Sequence, residues 1–176
     1  KGAVVNLADI IDDNDQPLFS GLRFDKTTLT IEHDVNWLGE TGRHTSLDAC
    51  LDDDRYRIAI ECKLTEQDVG TCSRPREKKD SDQYCNGAYK QGLNKADTRC
   101  VLTKQGIQYW KYIPQILGWD PENEYEPCPL DSTYQLVRNI LAATVRDGKC
   151  SPANGHAVLL YDQRNPWFGD GAKNCT

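Results

Sequence analysis

The segment 46–63 constrains the fold more than any other part of the chain. Two short apolar runs flank the polar cluster Asp52–Arg55, and this pattern predicts a β-hairpin. If the turn is centred within that cluster, Asp48 on the first strand lies directly opposite Glu61 on the second. Side chains alternate along a strand, so Glu61 and Lys63 project from the same face. The hairpin therefore predicts that two carboxylates and an ammonium group meet in one place.

This grouping has a chemical use, because neighbouring carboxylates repel each other unless a cation neutralises them. Mg²⁺ takes oxygen ligands and keeps several of its waters, and a metal-bound water can attack a phosphodiester. We expect Asp48 and Glu61 to bind Mg²⁺ or Mn²⁺. Lys63 would orient or deprotonate the water, or neutralise developing charge. The alternative is that Asp48 is solvated at a strand end and that Glu61 and Lys63 form a surface ion pair.

The pattern Asp48…Glu61-Cys62-Lys63 resembles the signature of the PD-(D/E)XK, or restriction-endonuclease-like, nuclease superfamily, with Leu47 where a Pro often stands. Other segments between residues 30 and 170 resemble an uncharacterised bacterial group within that superfamily: Trp37–Glu40, Cys72–Pro75, Tyr84-Cys85, Tyr134–Asn139 and Tyr161–Pro166. The resemblance implies an α/β fold, in which a small mixed β-sheet is flanked by helices, and a metal-dependent nuclease chemistry. It implies no particular substrate.

The same resemblance extends the list of candidate catalytic residues. Members of the superfamily often use an additional acid upstream of the signature Asp, and Glu32 and Glu40 both qualify. Several also place a Gln beside the site, on a helix that follows the Glu-x-Lys strand, and this implies a role for Gln135. On the predicted helix Gln135 shares a face with Arg138 and Asn139. A surface amide on an amphipathic helix is the alternative interpretation of Gln135.

The charge distribution indicates a candidate contact with DNA. A net charge of −6 argues against indiscriminate binding of nucleic acid, which depends on phosphate neutralisation. Between residues 74 and 104, however, eight basic residues are set against four acidic ones. This basic segment follows the strand of Glu61 and Lys63, so it could contact the phosphate backbone. A solvated charged loop is the alternative.

The eight cysteines allow several interpretations. An even number can indicate a disulfide framework, but a chain of 176 residues is large enough to fold without one. Cys50 and Cys62 occupy predicted core positions of strands, where a thiol packs as a small apolar group. Four others could bind Zn²⁺ or an iron–sulfur cluster, or remain reduced thiols. These are Cys72, Cys85, Cys100 and Cys128, and none of them has the C-x-x-C spacing.

The remaining pattern is that of one α/β domain spanning residues 1–176. No apolar run is long enough for a membrane helix and no signal-peptide pattern opens the chain, so we expect a cytoplasmic protein. Two short helices are predicted over 3–12 and 84–90. Two longer helices are predicted from Thr103 to Ile113, broken or bent at Pro114, and from Tyr134 to Val145, capped by Asp131 or Ser132. Strands are predicted over 28–37 and 156–161.

The function predicted from the sequence is that of a Mg²⁺-dependent phosphodiesterase acting on DNA, an endonuclease in a restriction or genome-defence setting. One alternative is a protein of the same fold that binds nucleic acid or serves as a scaffold without cleaving. Another is an extracellular binding protein held by disulfides. The sequence leaves open the choice between DNA and RNA, the strand preference and the oligomeric state.

Overall fold

The structure is a computed structural model that describes residues 6–42, 44–92, 98–162 and 164–167. Its strands are β1 (Thr28–Val35), β2 (Thr45–Asp52), β3 (Arg57–Lys63), β4 (Val145–Arg146), β5 (Lys149–Cys150) and β6 (Gly155–Tyr161). Its α-helices are α1 (Val101–Lys104), α2 (Tyr109–Ile116) and α3 (Leu130–Thr144). Short 3₁₀ turns cover Leu7–Asp9, Phe24–Lys26, Arg74–Arg76 and Pro152–Asn154.

Four of the strands form one mixed sheet in the order β1-β2-β3-β6. β2 is antiparallel to β1 and β3, whereas β6 is parallel to β3. Ala49 pairs with Ile60 and Asp52 with Arg57, so the predicted register of the hairpin is confirmed. The pairing of β2 with β3 begins at Ala49, which leaves Asp48 where the two strands separate.

Both faces of the sheet are covered. On one face α3 buries Val137 and Leu141 against a core that includes Cys50 and Ala59 of the sheet. On the other face Ile58 packs in a smaller cluster with four more buried residues, Phe19, Leu22, Leu51 and Tyr56. This arrangement confirms the predicted α/β class with a small mixed sheet and flanking helices. No helix among the described residues has the length and apolar character needed to cross a bilayer.

The prediction of a helix over 3–12 is wrong for the residues that the structure describes, and residues 1–5 lie outside them. Only Leu7–Asp9 is helical, as a 3₁₀ turn capped by the Asn6 side chain. Asp12 ends any continuation, because its carboxylate accepts hydrogen bonds from the backbone N–H groups of Asn14 (2.8 Å) and Gln16 (2.9 Å). Such a local turn competes with helical hydrogen bonding.

The predicted helix from Thr103 to Ile113 is in fact two helices. Thr103 lies inside α1 rather than at its N-cap, and α2 starts only at Tyr109. Between them the Gln108 N–H donates to the carbonyl of Leu38 (2.9 Å) instead of to a helical acceptor. Pro114 lies inside α2, which continues to Ile116, so the proline does not end this helix.

Two further helix predictions need correction. Residues 84–90 contain no helix, and Tyr89 instead forms a bridge with Tyr125 and stacks on Trp110 (3.7 Å between ring centroids). The helix predicted from Tyr134 begins earlier, at Leu130, so Asp131 and Ser132 lie within its first turn and do not cap it. Non-helical dihedral angles at Thr133 mark a kink, after which the regular helix follows the predicted course.

Candidate active site

Glu61 and Lys63 form a buried ion pair on the face of β3 that packs against α3. Each residue is 6% exposed, and the Lys63 Nζ lies 2.9 Å from the Glu61 Oε1. Gln135 of α3 closes a ring with them: its Nε2 donates to the Glu61 Oε1 (2.5 Å), and its Oε1 accepts from the Lys63 Nζ (2.9 Å). The structure therefore brings three of the predicted catalytic residues together. The Glu61–Lys63 pair is buried rather than on the surface, whereas Gln135 is partly exposed and contacts both residues.

Asn139 is a fourth member of this group that the sequence interpretation did not nominate. It lies one helical turn after Gln135, is 4% exposed, and donates from Nδ2 to the Glu61 Oε2 (3.2 Å). Its Oδ1 is buried without a hydrogen-bond partner among the described atoms. The spacing of four residues from Gln135 on one helix face is the signal that could have identified it.

A glycine allows Gln135 to reach the ion pair. Gly70 has φ +81, and a Cβ at this position would lie 2.5 Å from the Gln135 Oε1. The Gly70 carbonyl also accepts a hydrogen bond from the Gln135 N–H (3.2 Å). The loop after β3 therefore packs directly on the amide of Gln135, which leaves no room for a side chain at position 70.

Asp48 lies at the opening between β2 and β3, next to the ion pair. Its Oδ2 accepts a hydrogen bond from the Cys62 backbone N–H (2.6 Å), between Glu61 and Lys63 in the chain. Burial raises the pKa of the Cys62 thiol, and the charges of Asp48 and Glu61 raise it further, so both carboxylates act on the same point. The pairing of β2 with β3 ends at Ala49 and Ile60, and beyond this point the Asp48 side chain, not a backbone carbonyl, accepts the hydrogen bond of the Cys62 N–H.

The strands are distorted at Asp48. Leu47 and Cys50 are both fully buried in the core under the helices, although regular alternation would place residues three apart on opposite faces. In the neighbouring strand β1 the register places Glu32 opposite Asp48, and Glu32 has φ 49, a left-handed conformation that is uncommon outside glycine. The alternation of side chains therefore reverses at this point, and Asp48 leaves the regular ladder.

Of the two upstream acids, Glu40 is the buried one, at 9% exposed. Its carboxylate accepts hydrogen bonds from the Thr45 N–H and hydroxyl (2.7 Å each) and from the Tyr109 hydroxyl. The Arg138 Nε lies 3.6 Å from it. Glu40 thus holds the start of β2 against α2 and α3, while the exposed Glu32 is the acid in register with Asp48. A catalytic role for Glu40 stays a prediction.

An open cleft of about 690 Å³ extends from Gln135. Arg74, Arg138 and His44 contribute to its walls, and Glu40 lies at its side. The Arg138 guanidinium lies over the ring of Tyr134, 5.1 Å from its centroid. Two guanidinium groups beside the amide of Gln135 form a surface with hydrogen-bond donors that suit phosphate oxygens.

The basic segment 74–104 does not act as one surface. Arg74 reaches the cleft, but Lys90 pairs with Glu126, and Arg99 pairs with Glu122 of the acidic loop (3.3 Å). Lys95 falls within 93–97, outside the described residues. Part of the positive charge is thus neutralised by ion pairs within the protein.

The chemistry of the donors decides whether a divalent ion fits this site. In the described part of the chain, no group of three or more His, Cys, Asp or Glu side chains is arranged so that it could hold a metal ion. Asp48 and Glu61 are two carboxylates at the ends of paired strands, and Mg²⁺ is commonly bound by one or two carboxylates together with waters and substrate phosphates. Two carboxylates are a ligand set that such an ion can use, and binding of Mg²⁺ or Mn²⁺ by Asp48 and Glu61 stays a prediction.

The seven cysteines within the described residues are free thiols, and Cys175 lies outside them. Cys50 is fully buried in the core, as its strand position predicted, whereas Cys62 is only half-buried near the opening of the hairpin.

Comparison with known proteins identifies a family for this chain. Residues 6–174 match a family model described as restriction endonuclease associating with ARP. No curated protein and no solved structure matches the chain significantly.

Proposed function

Because the chain belongs to the family of restriction endonucleases associating with ARP, we propose that it is a metal-dependent nuclease of the PD-(D/E)XK type that cleaves DNA. Family membership supports a restriction-endonuclease-like protein that acts in a defence setting. The observation that carries the proposal of catalysis is the ring that Gln135 forms with the buried pair of Glu61 and Lys63. A buried ion pair contributes little to stability after its desolvation cost, so its place at a strand end beside a cleft favours a catalytic use.

Each residue of the site has a proposed role. Asp48 and Glu61 would hold Mg²⁺ or Mn²⁺, and the bound ion would supply an acidic water and stabilise charge on the phosphate. Lys63 would position the attacking water and neutralise charge that develops in the transition state. Gln135 and Asn139 hold the Glu61 carboxylate from both of its oxygens, which fixes its orientation against α3.

The cleft gives the proposed path of the substrate. Arg74 and Arg138 would bind phosphates on either side of the scissile bond, with Gln135 marking the end nearest to Lys63. The overall charge of −6 limits non-specific attraction of nucleic acid. Binding would therefore depend on these few arginines in the cleft rather than on a broad basic surface.

Cleavage assays test the proposal directly. Purified protein is incubated with supercoiled and linear DNA in Mg²⁺, in Mn²⁺ or in excess chelator, beside a Lys63→Ala variant and a Lys149→Ala control at an exposed position on β5. We expect cleavage that needs the ion, a reduction of about 10²–10⁴-fold in Lys63→Ala, and no change in Lys149→Ala. Cleavage that persists unchanged in Lys63→Ala would show that the site lies elsewhere.

The second candidate is a protein of the same fold that binds nucleic acid without cleaving it. The closed ring favours this candidate to some degree, because three donors already occupy the Glu61 carboxylate: the Lys63 ammonium and the amides of Gln135 and Asn139. DNA or RNA binding that depends on Arg74 and Arg138, without cleavage in either ion, would make this candidate the better one.

A further inference from the structure

Four cysteines that are far apart in sequence meet around one small cavity. The cavity measures about 20 Å³, and its lining includes the residues that we call the cysteine cluster: Cys72, Cys85, Cys100 and Cys128. The segments that carry them contain little regular structure; Cys100 immediately precedes α1 and Cys128 precedes α3. The convergence is therefore not a by-product of a helix or strand periodicity.

The thiols of the cluster also influence one another's pKa. Burial raises the pKa of all four thiols, to about 11 for Cys72 and about 12 for Cys128. The charges of Cys85 and Cys100 raise the pKa of Cys72 further. The charges of Cys72, Cys85 and Cys100 raise the pKa of Cys128, and the charge of Cys85 raises the pKa of Cys100. Taken together, these effects link every pair of sulfurs in the cluster.

Each sulfur also receives a backbone hydrogen bond from the residue two positions later. The donors are the N–H groups of Arg74 for Cys72, Gly87 for Cys85, Leu102 for Cys100 and Leu130 for Cys128, and each lowers the pKa of its thiol. Burial has the larger effect, so the net pKa of every thiol in the cluster is raised, and a metal ion would have to displace their protons.

Two cysteines outside the cluster lack the arrangement. Burial raises the pKa of Cys50, and only the charges of neighbouring side chains act on it besides. Burial also raises the pKa of Cys150, which the Thr144 hydroxyl lowers. The backbone donors are thus specific to the cluster and are not a general feature of cysteines in this fold.

The surroundings can compensate the charge of several thiolates. Arg74 and Arg99 line the same cavity, and the positive charge of Arg74 lowers the pKa of both Cys72 and Cys85. Four thiolates around Zn²⁺ carry a net charge of −2, which would be costly to bury without cations nearby.

We propose that Cys72, Cys85, Cys100 and Cys128 bind a metal centre through four thiolates, either one Zn²⁺ ion or an iron–sulfur cluster. The centre joins the loop after β3 to the start of α1 and to the first turn of α3. Among the described residues no set of three such side chains is already placed to hold an ion. Ligation therefore involves a change of χ1 rotamer, which moves a cysteine Sγ while its backbone stays in place.

The metal content of the full chain tests this proposal. The protein is purified without oxygen, and zinc, iron and acid-labile sulfide are measured together with the visible absorption spectrum. We expect one centre per chain: equimolar zinc without visible absorption, or iron and sulfide in similar amounts with thiolate-to-iron absorption. Cys72→Ser and Cys128→Ser should lose most of this metal, and Cys150→Ser should keep it.

A second measurement covers the case in which the serine variants do not fold. Release of metal from the wild-type protein is followed while its thiols are chemically modified, and one centre per chain should be released as the four cysteines react. Absence of metal, combined with no uptake of Zn²⁺ or of iron and sulfide, would overturn the proposal. So would disulfides among the four cysteines, or equal metal loss in Cys150→Ser. None of these readouts depends on nuclease activity.

Discussion

The candidate active site and the cysteine cluster both contact α3, but they are built in different ways. The active site takes its residues from two adjacent strands and from successive turns of one helix, at Gln135 and Asn139. The cysteine cluster takes one residue from each of four positions along irregular chain and touches the first turn of α3 at Leu130. Regular elements set the geometry of the first region, whereas long-range packing sets that of the second.

This difference implies a division of tasks. Backbone hydrogen bonds of the hairpin and of α3 hold the residues of the active site in place. The ion pair of Glu61 and Lys63 should therefore remain when residues in the loops are substituted. The loop after β3 lacks a hydrogen-bonded ladder, and its contacts with the site are few, chiefly the hydrogen bond from the Gln135 N–H to the Gly70 carbonyl. A bound metal centre would fix this loop in place of secondary structure, as structural zinc does in small domains.

The largest expected effect separates metal binding from chemistry within the active site. Glu61→Gln keeps the shape of the side chain but removes the charge, so calorimetry should show weaker binding of Mg²⁺ or Mn²⁺. Lys63→Ala should bind the ion nearly normally. Both variants should lose cleavage, by about 10²–10⁴-fold. Equal ion affinity in Glu61→Gln and in the wild type would mean that Glu61 is not a ligand.

A smaller effect tests whether the loop of the cysteine cluster positions the active site. In Gly70→Ala the new methyl group would lie 2.5 Å from the Gln135 Oε1, so Gln135 must leave the ion pair. Misplacement by about 1 Å can reduce a rate by about 10²-fold. Gly148→Ala is the matched control, because Gly148 also has a positive φ (+71) but has no atom within 4 Å of its Cβ position.

The two glycine variants should therefore share a loss of stability from backbone strain, about 1–2 kcal/mol, that thermal unfolding can measure. Only Gly70→Ala should also lose cleavage and binding of Mg²⁺. If both variants cleave at the same rate, the loop does not position Gln135, and the two regions act independently.

The register of the hairpin was predictable because its signals are local. The turn at Asp52–Arg55 and the alternation along β3 were enough to place Ala49 opposite Ile60 and Asp52 opposite Arg57, and this register is confirmed, whereas Asp48 lies just beyond the paired residues. Asn139 was missed although it shares a helix face with Gln135, because Arg138 shares that face too and the sequence does not show which of them reaches Glu61. The reversal of alternation at Asp48 was also invisible, since it depends on the left-handed Glu32 in a different strand.

The helices of the loop-rich half were harder to predict because local breaks and distant contacts act together. The apolar pattern after Thr103 suits a continuous helix, but Gly106 adopts a positive φ (+88) at the end of α1, and the Gln108 N–H bonds to the Leu38 carbonyl before α2 begins. The segment 84–90 contains Asn86 and Gly87, which disfavour a helix, and Tyr89 forms a bridge with Tyr125. The convergence of Cys72 with Cys128 likewise has no signature in their spacing.

The smallest effect concerns the hairpin turn, which frames the active site without taking part in it. Burial of Asp53 opposes its ionisation, but hydrogen bonds from the N–H groups of Arg23, Arg55 and Tyr56 outweigh this and lower its pKa to about 2, from 3.8. A carboxylate whose pKa is lower in the folded state stabilises the protein above the unfolded pKa. This contribution, about 2 kcal/mol, is lost as the pH falls from about 4 through 2.

Asp53→Asn keeps one acceptor oxygen but removes the charge, so urea unfolding should show lower stability at pH 7 and a shallower loss of stability on acidification. The difference should be the same with and without bound metal, because the turn lies far along β2 and β3 from the opening at Asp48. A metal-dependent difference would show that the hairpin and the metal-binding regions are coupled.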